Sequence, residues 1–130
     1  MRVLLDTHVA LWAVTGDQRL SRTARSSIDG NDQVHVSVVS LWEIAIKFAL
    51  RKGRPNDMPV SPQRALELFT SSQFVILPLF ERHVLAVAGL PPARSDPFDR
   101  MLIAQARSEP LQLLTSDTAV AAYGEGIELV

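Results

Sequence analysis

Short apolar runs alternate with amphipathic stretches along the whole chain. "RVLL" (2–5), "VHVSV" (34–38), "FVILP" (74–78), "LQLLT" (111–115) and "IELV" (127–130) have the length and branched character of strands. Between them, helical patterns cover 8–14, the segment from Ser21 that Gly30 would end, 40–53, 61–72, 81–89, and Pro97 to about Ser108. Pro62 and Pro97 suit first-turn positions, whereas Gly53 and Gly89 suit helix ends. Several of the strands are apolar on both faces, so the pattern predicts an α/β fold. Its mostly parallel five-stranded sheet would be flanked by helices in three layers. No internal repeat or linker divides residues 1–130, and a single domain of this length buries roughly two thirds of its unfolded surface.

Composition narrows the classes. Hydrophobic residues make up 47% and charged residues 21%, which excludes wholesale disorder. The net charge of −1 gives no global footprint for nucleic acid, so such binding would need a local cluster of cations. "KFALRKGR" (Lys47, Arg51, Lys52, Arg54) and "RLSRTAR" (Arg19, Arg22, Arg25) are two modest clusters, readable as helix-end compensation or as a polyanion track. The lack of cysteine excludes disulfides and thiolate metal sites and fits a reducing compartment. Asp6 and His8 interrupt the N-terminal apolar run, which is too short for a signal peptide or a membrane helix. A cytoplasmic protein without membrane attachment is expected.

The acidic residues stand out against this pattern. In a parallel sheet, ligands gather beyond the carboxyl ends of the strands. Asp6 ends the first strand, Glu43 lies in the first turn of the helix after the second, Asp99 opens the helix leading to the fourth, and Asp117 follows the fourth strand. Each has a capping alternative. Ser40 and Glu43 spell a capping box, Asp96 fits as the cap before Pro97, and Asp117 fits as the cap of "TAVAAY". Glu43 also heads a line with Lys47 and Arg51 that reads as a solvated stripe. Asp6 is harder to assign to structure, since an apolar residue would pack more cheaply after "VLL". Asp99 shares a helical face with Leu102, Ile103 and Ala106, so its carboxylate starts a stripe aimed at the core.

Taken together, the acids call for a counter-ion. Carboxylates about 6 Å apart at an effective dielectric near 20 repel by roughly 3 kcal/mol per pair. Oxygen ligands without cysteine suit Mg²⁺ or Mn²⁺ better than Zn²⁺, and such ions hold substrate phosphates and lower the pKa of bound water. His8, His35 and His83 match no zinc spacing. His35 and His83 read as structural residues, and His8 is a candidate for the rim. Ser37 and Thr115, at strand ends, are candidates to hydrogen-bond a carboxylate. Phosphate-binding glycine loops and serine-hydrolase motifs are lacking.

In order and spacing, "LLDTHVALW", "SVVSLWEIAIK", "DPFDRMLIAQA" and "LLTSD" resemble the PIN-domain family, specifically the VapC group of toxin ribonucleases, nearly end to end. The resemblance implies a five-stranded parallel sheet and an acidic quartet, Asp6, Glu43, Asp99 and Asp117, that hydrolyses single-stranded RNA with Mg²⁺ or Mn²⁺. Asp6, Asp99 and Asp117 would be the metal ligands, with Lys47 and His8 toward substrate. Many relatives carry Asn or Ser where this chain has His8. The resemblance also implies a homodimer and a cognate antitoxin whose apolar segment covers a groove. The helix 41–50, apolar on most faces, and the pattern 65–69 are candidates for that groove. Two other readings stay open: a PIN nuclease of RNA processing, and a catalytically silent nucleic-acid or protein binding module.

Overall fold

The computed structural model describes residues 2–92 and 96–130. The chain order is β1 (Arg2–Leu5), α1 (Thr7–Thr15), α2 (Arg22–Asp29), β2 (Gln33–Ser37), α3 (Val38–Ala49), α4 (Pro62–Ser71), β3 (Val75–Leu77), α5 (Glu81–Val87), α6 (Pro97–Ser108), β4 (Gln112–Thr115), α7 (Thr118–Ala121) and β5 (Ile127–Leu129). All four strand pairings are parallel, in the order β3-β2-β1-β4-β5.

Alternation along the central strands explains why they are apolar throughout. Val3, Leu5, Val36 and Leu114 face one layer, where Val9, Ile28, Ile44 and Phe69 of α1 to α4 cover them. Leu4 and Leu113 face the other, against Leu102, Ile103 and Ala106 of α6 and Val120 of α7. With two covered faces, successive side chains are all buried, which is the three-layer arrangement the pattern predicts.

The helix boundaries follow side-chain caps. Ser21 and Ser61 accept from the backbone N–H groups of Ala24 and Arg64. Two expectations are corrected. Helix α3 begins at Val38 with Ser37 as its cap, so the Ser40–Glu43 capping box does not form; the strand ends on a serine that already supplies the oxygen, to Val39 N–H. The same helix ends at Ala49 rather than at Gly53, which takes a positive φ of 77° in the following loop.

Gln73 is a non-glycine residue at φ 64°, just past the end of α4, where Phe74 N–H returns to Phe69 carbonyl oxygen at 3.0 Å. Gln73→Gly relieves the left-handed strain but enlarges unfolded-state entropy, and a net gain of about 0.5 kcal/mol in urea unfolding is expected.

Candidate active site

The chain runs from β1 outward to β2 and β3, then returns to the other side of β1 with β4 and β5. The strand order therefore reverses between β1 and β4, and a crevice opens at the carboxyl ends of those two strands. Asp6 follows β1 and Asp117 lies two residues beyond β4. Asp6 N–H donates to Leu114 carbonyl oxygen at 3.0 Å, which extends the ladder to the edge of the crevice.

Asp6 is buried and held on both oxygens. Its Oδ1 accepts from Val9 N–H at 2.8 Å, so it caps α1, and its Oδ2 accepts from the Thr115 hydroxyl at 2.5 Å. Sequence reasoning thus underrated its capping role. Burial raises its pKa, while the Thr115 and Val9 hydrogen bonds and His8 oppose that rise. Thr115 also accepts from Asp117 N–H at 3.0 Å, so one hydroxyl ties the two acidic positions together. Asp117 is exposed and caps α7 through Ala119 N–H at 2.8 Å.

Glu43 is 3% exposed and lies in the second turn of α3 rather than the first, because the helix begins at Val38. It does not head a solvated stripe. Thr7 Oγ1 donates to its Oε1 at 2.6 Å and lies 2.9 Å from Ser40 Oγ, while Lys47 Nζ donates to Oε2 at 2.5 Å. Thr7 is a site residue that the sequence reading missed; its only sequence signal is its place beside Asp6 at the start of α1.

Asp99 stands in the first turn of α6, partly buried. Its pKa is pushed up to about 7 by burial and then by the charges of Asp96, Glu43, Asp6 and Asp117. Asp96 caps α6 as expected, accepting from Phe98 N–H at 2.7 Å. It also lines the cavity, a second role that the capping reading concealed.

That cavity has a volume of about 470 Å³, and its walls include Asp6, Glu43, Asp99 and Asp117. His8 and Lys47 lie at its margin. All six sequence-derived candidates therefore meet in one place. Among the described residues, no three carboxylate or imidazole groups stand at the spacing of a ready-made metal cage. The acids instead line a common cavity.

The other two histidines are structural, as expected. His35 Nδ1 donates to Val3 carbonyl oxygen at 3.3 Å, and burial lowers its pKa. His83 Nδ1 accepts from Phe80 N–H at 3.0 Å, which leaves Nε2 to donate to Glu109 at 2.6 Å. The amide of Gln105 lies 3.4 Å from His83 Nδ1 and accepts from Ser37 Oγ at 2.5 Å. Through it the cap of α3 is fastened to α6, and so the helix carrying Glu43 to the helix carrying Asp99.

A family model described as PIN domain matches residues 3–126. Among solved structures, the chain is similar to VapBC2 from Rickettsia felis bound to promoter DNA, at 15% identity and TM-score 0.69, covering 100% of this chain and 98% of that one. It is similar to a Klebsiella pneumoniae toxin–antitoxin complex at 19% identity and TM-score 0.67, covering 97% and 95%. Mycobacterium tuberculosis VapC20, described as a sarcin–ricin loop cleaving toxin, aligns at 20% identity and TM-score 0.64, covering 94% and 95%. At these identities the likeness speaks to the fold. No curated protein matches the chain significantly.

Proposed function

The chain belongs to the PIN-domain family, and from that membership we propose that it is a metal-dependent endoribonuclease that hydrolyses phosphodiester bonds of single-stranded RNA, as the toxin of a toxin–antitoxin pair. The observation that carries this reading is Asp99, whose carboxyl is pushed up to about 7 in part by four other acids around it. Such mutual repulsion is costly to maintain and finds its use when a cation enters.

The donor set fits Mg²⁺ or Mn²⁺: carboxylate oxygens only, each with lone pairs left after its cap or hydroxyl bond. Asp6, Asp99 and Asp117 would hold the ion. When bound, it would supply Lewis acidity toward a phosphoryl oxygen and lower the pKa of water. The chain's own groups orient the rest. Thr115 and Val9 N–H fix the Asp6 carboxylate, and Thr7 and Lys47 fix Glu43. Lys47 and the exposed His8, both on the cavity lining, would meet the substrate phosphates.

Among the described residues no helix is long and apolar enough to cross a membrane, and a cytoplasmic location goes with the proposal. The relatives from Rickettsia and Klebsiella were solved as toxin–antitoxin complexes. For this chain an antitoxin and a homodimer are part of the proposal. Trp42, 58% exposed, and Ile46, one turn on, give α3 outward apolar surface for the antitoxin, and Leu66 of α4 is exposed as well. Of the pattern 65–69, Ala65 and Phe69 are buried in the core, which leaves exposed Leu66 and half-buried Leu68 for the expected groove.

Incubation of the purified chain with single-stranded RNA tests the reading. Cleavage is expected with Mg²⁺ or Mn²⁺ and is expected to stop with chelator; cleavage indifferent to chelator overturns it. Expression without growth arrest would favour RNA processing over a toxin role.

A further inference from the structure

A second cleft, about 530 Å³ in volume, opens beside the acidic cavity and shares His8 and Lys47 with it. Helix α1 supplies one part of its lining and the segment 54–59, after α3, supplies another. Trp12 lies one helical turn, about 5.4 Å, beyond His8 on α1. Its ring centroid is 5.9 Å from that of His8, and the Arg19 guanidinium carbon sits 5.2 Å from it. Arg19 is pinned in that position by a two-point contact with Asp17, at 3.1 and 2.7 Å.

We propose that this cleft is the subsite for the RNA strand beside the scissile phosphodiester, with one unpaired base stacked on Trp12 and an adjoining phosphate met by Arg54. The proposal rests on the nuclease reading and extends it to substrate positioning. Three observations favour single-stranded RNA as the occupant. The cleft borders the acidic cavity, with His8 and Lys47 lining both, so a strand leaving the reacting phosphate has it as the adjacent seat. An indole with a fixed guanidinium on it is the kind of surface on which splayed bases stack. The cleft's own acids are already engaged: Asp17 by Arg19, and Asp57 by the backbone N–H groups of Lys52 and Arg54, both at 2.8 Å. The Asp17 charge is therefore offset by Arg19, and Asp57, still ionised, is tied back to the backbone of its own loop.

A base held equally in the ground and transition states changes KM and leaves kcat alone. The experiment walks a single abasic nucleotide along an RNA oligomer and measures cleavage by the wild type, Trp12→Ala, Trp12→Phe and Arg54→Glu. One abasic position is expected to raise KM about tenfold in the wild type. Trp12→Ala is expected to raise KM by a similar factor and to be indifferent to that abasic site, while Trp12→Phe keeps most of the affinity. Arg54→Glu should raise KM for oligomers long enough to reach the cleft and spare shorter ones. A wild type indifferent to every abasic position, or Trp12→Ala and abasic effects that multiply, overturns the subsite. So does a Trp12→Ala protein that cleaves normally but no longer binds a protein partner. Binding of a fluorescein-labelled oligomer to Asp99→Asn, with and without Trp12→Ala, reads the cleft independently of cleavage. Loss of binding there supports the subsite even if the wild type cleaves nothing, a result that would fell only the nuclease reading.

Discussion

Asp99→Asn is expected to lower RNA cleavage on the order of a hundred- to a thousandfold while raising the melting temperature of the metal-free protein. The two effects share one cause. The Asp99 carboxyl is raised from 3.8 to about 7, first by burial and then by Asp96, Glu43, Asp6 and Asp117. Below pH 3.8 it is protonated in both folded and unfolded chains and costs nothing. Between 3.8 and about 7 the unfolded chain ionises first, so stability falls as pH rises; above about 7 the penalty is complete. The carboxyl is only partly buried, so solvent screening reduces that penalty to about 1–2 kcal/mol. Asparagine removes it and forfeits a few tenths of a kcal/mol of favourable interaction with the α6 N-terminus. Melting at pH 8 without divalent ions should therefore be a few degrees higher for the variant, with the gap closing toward pH 4. Added Mg²⁺ should stabilise the wild type and not the variant. The catalytic loss follows from removing a charged oxygen ligand, which ranks with the loss of a group stabilising transition-state charge. A variant that melts no higher than wild type at pH 8, or cleaves as well, removes Asp99 from the centre of the site.

Asp99 was visible in the sequence because a carboxylate at the head of the Leu102, Ile103, Ala106 stripe has no packing reason to be there. Strand alternation and cap residues likewise made the layers legible, since both are local signals. What stayed hidden depends on groups far apart in sequence. Glu43 with Lys47 and Arg51 spells a solvated helix face, and only the approach of Thr7, thirty-six positions earlier, shows that the carboxylate is buried. Ser37 and Ser40 both satisfy a cap rule within one turn, and the end of β2 decides between them. Asp96 spelled a cap correctly and thereby hid its second place on the cavity wall. The tie from Ser37 to Gln105 spans sixty-eight positions, and neither residue is unusual for its helix or strand. A local motif records what a residue does for its own helix; what it does for a site depends on the element packed opposite.

Lys47→Met is expected to destabilise the protein by about 2 kcal/mol, more than its position at the cavity margin suggests. Its side chain is 40% exposed, and an ion pair between two such groups contributes little. The partner sets the magnitude here, because the Glu43 side chain is only 4% exposed and depends on Lys47 and Thr7 for compensation. Removing the partner of a buried charge costs about 3–5 kcal/mol in closed interiors, and the open cavity beside Lys47 lowers that figure by admitting water. Neutralising the acid as well should return most of the loss, so Glu43→Gln in the Lys47→Met background is expected to be more stable than Lys47→Met alone. A double-mutant cycle in urea unfolding would give a coupling energy of about 1–2 kcal/mol. Lys47→Met should also weaken RNA binding, but through a salt-dependent rise in KM that the stability cycle does not contain. A Lys47→Met protein as stable as the wild type would mean that Thr7 and solvent carry the Glu43 charge, and would leave substrate phosphate as the role of this lysine.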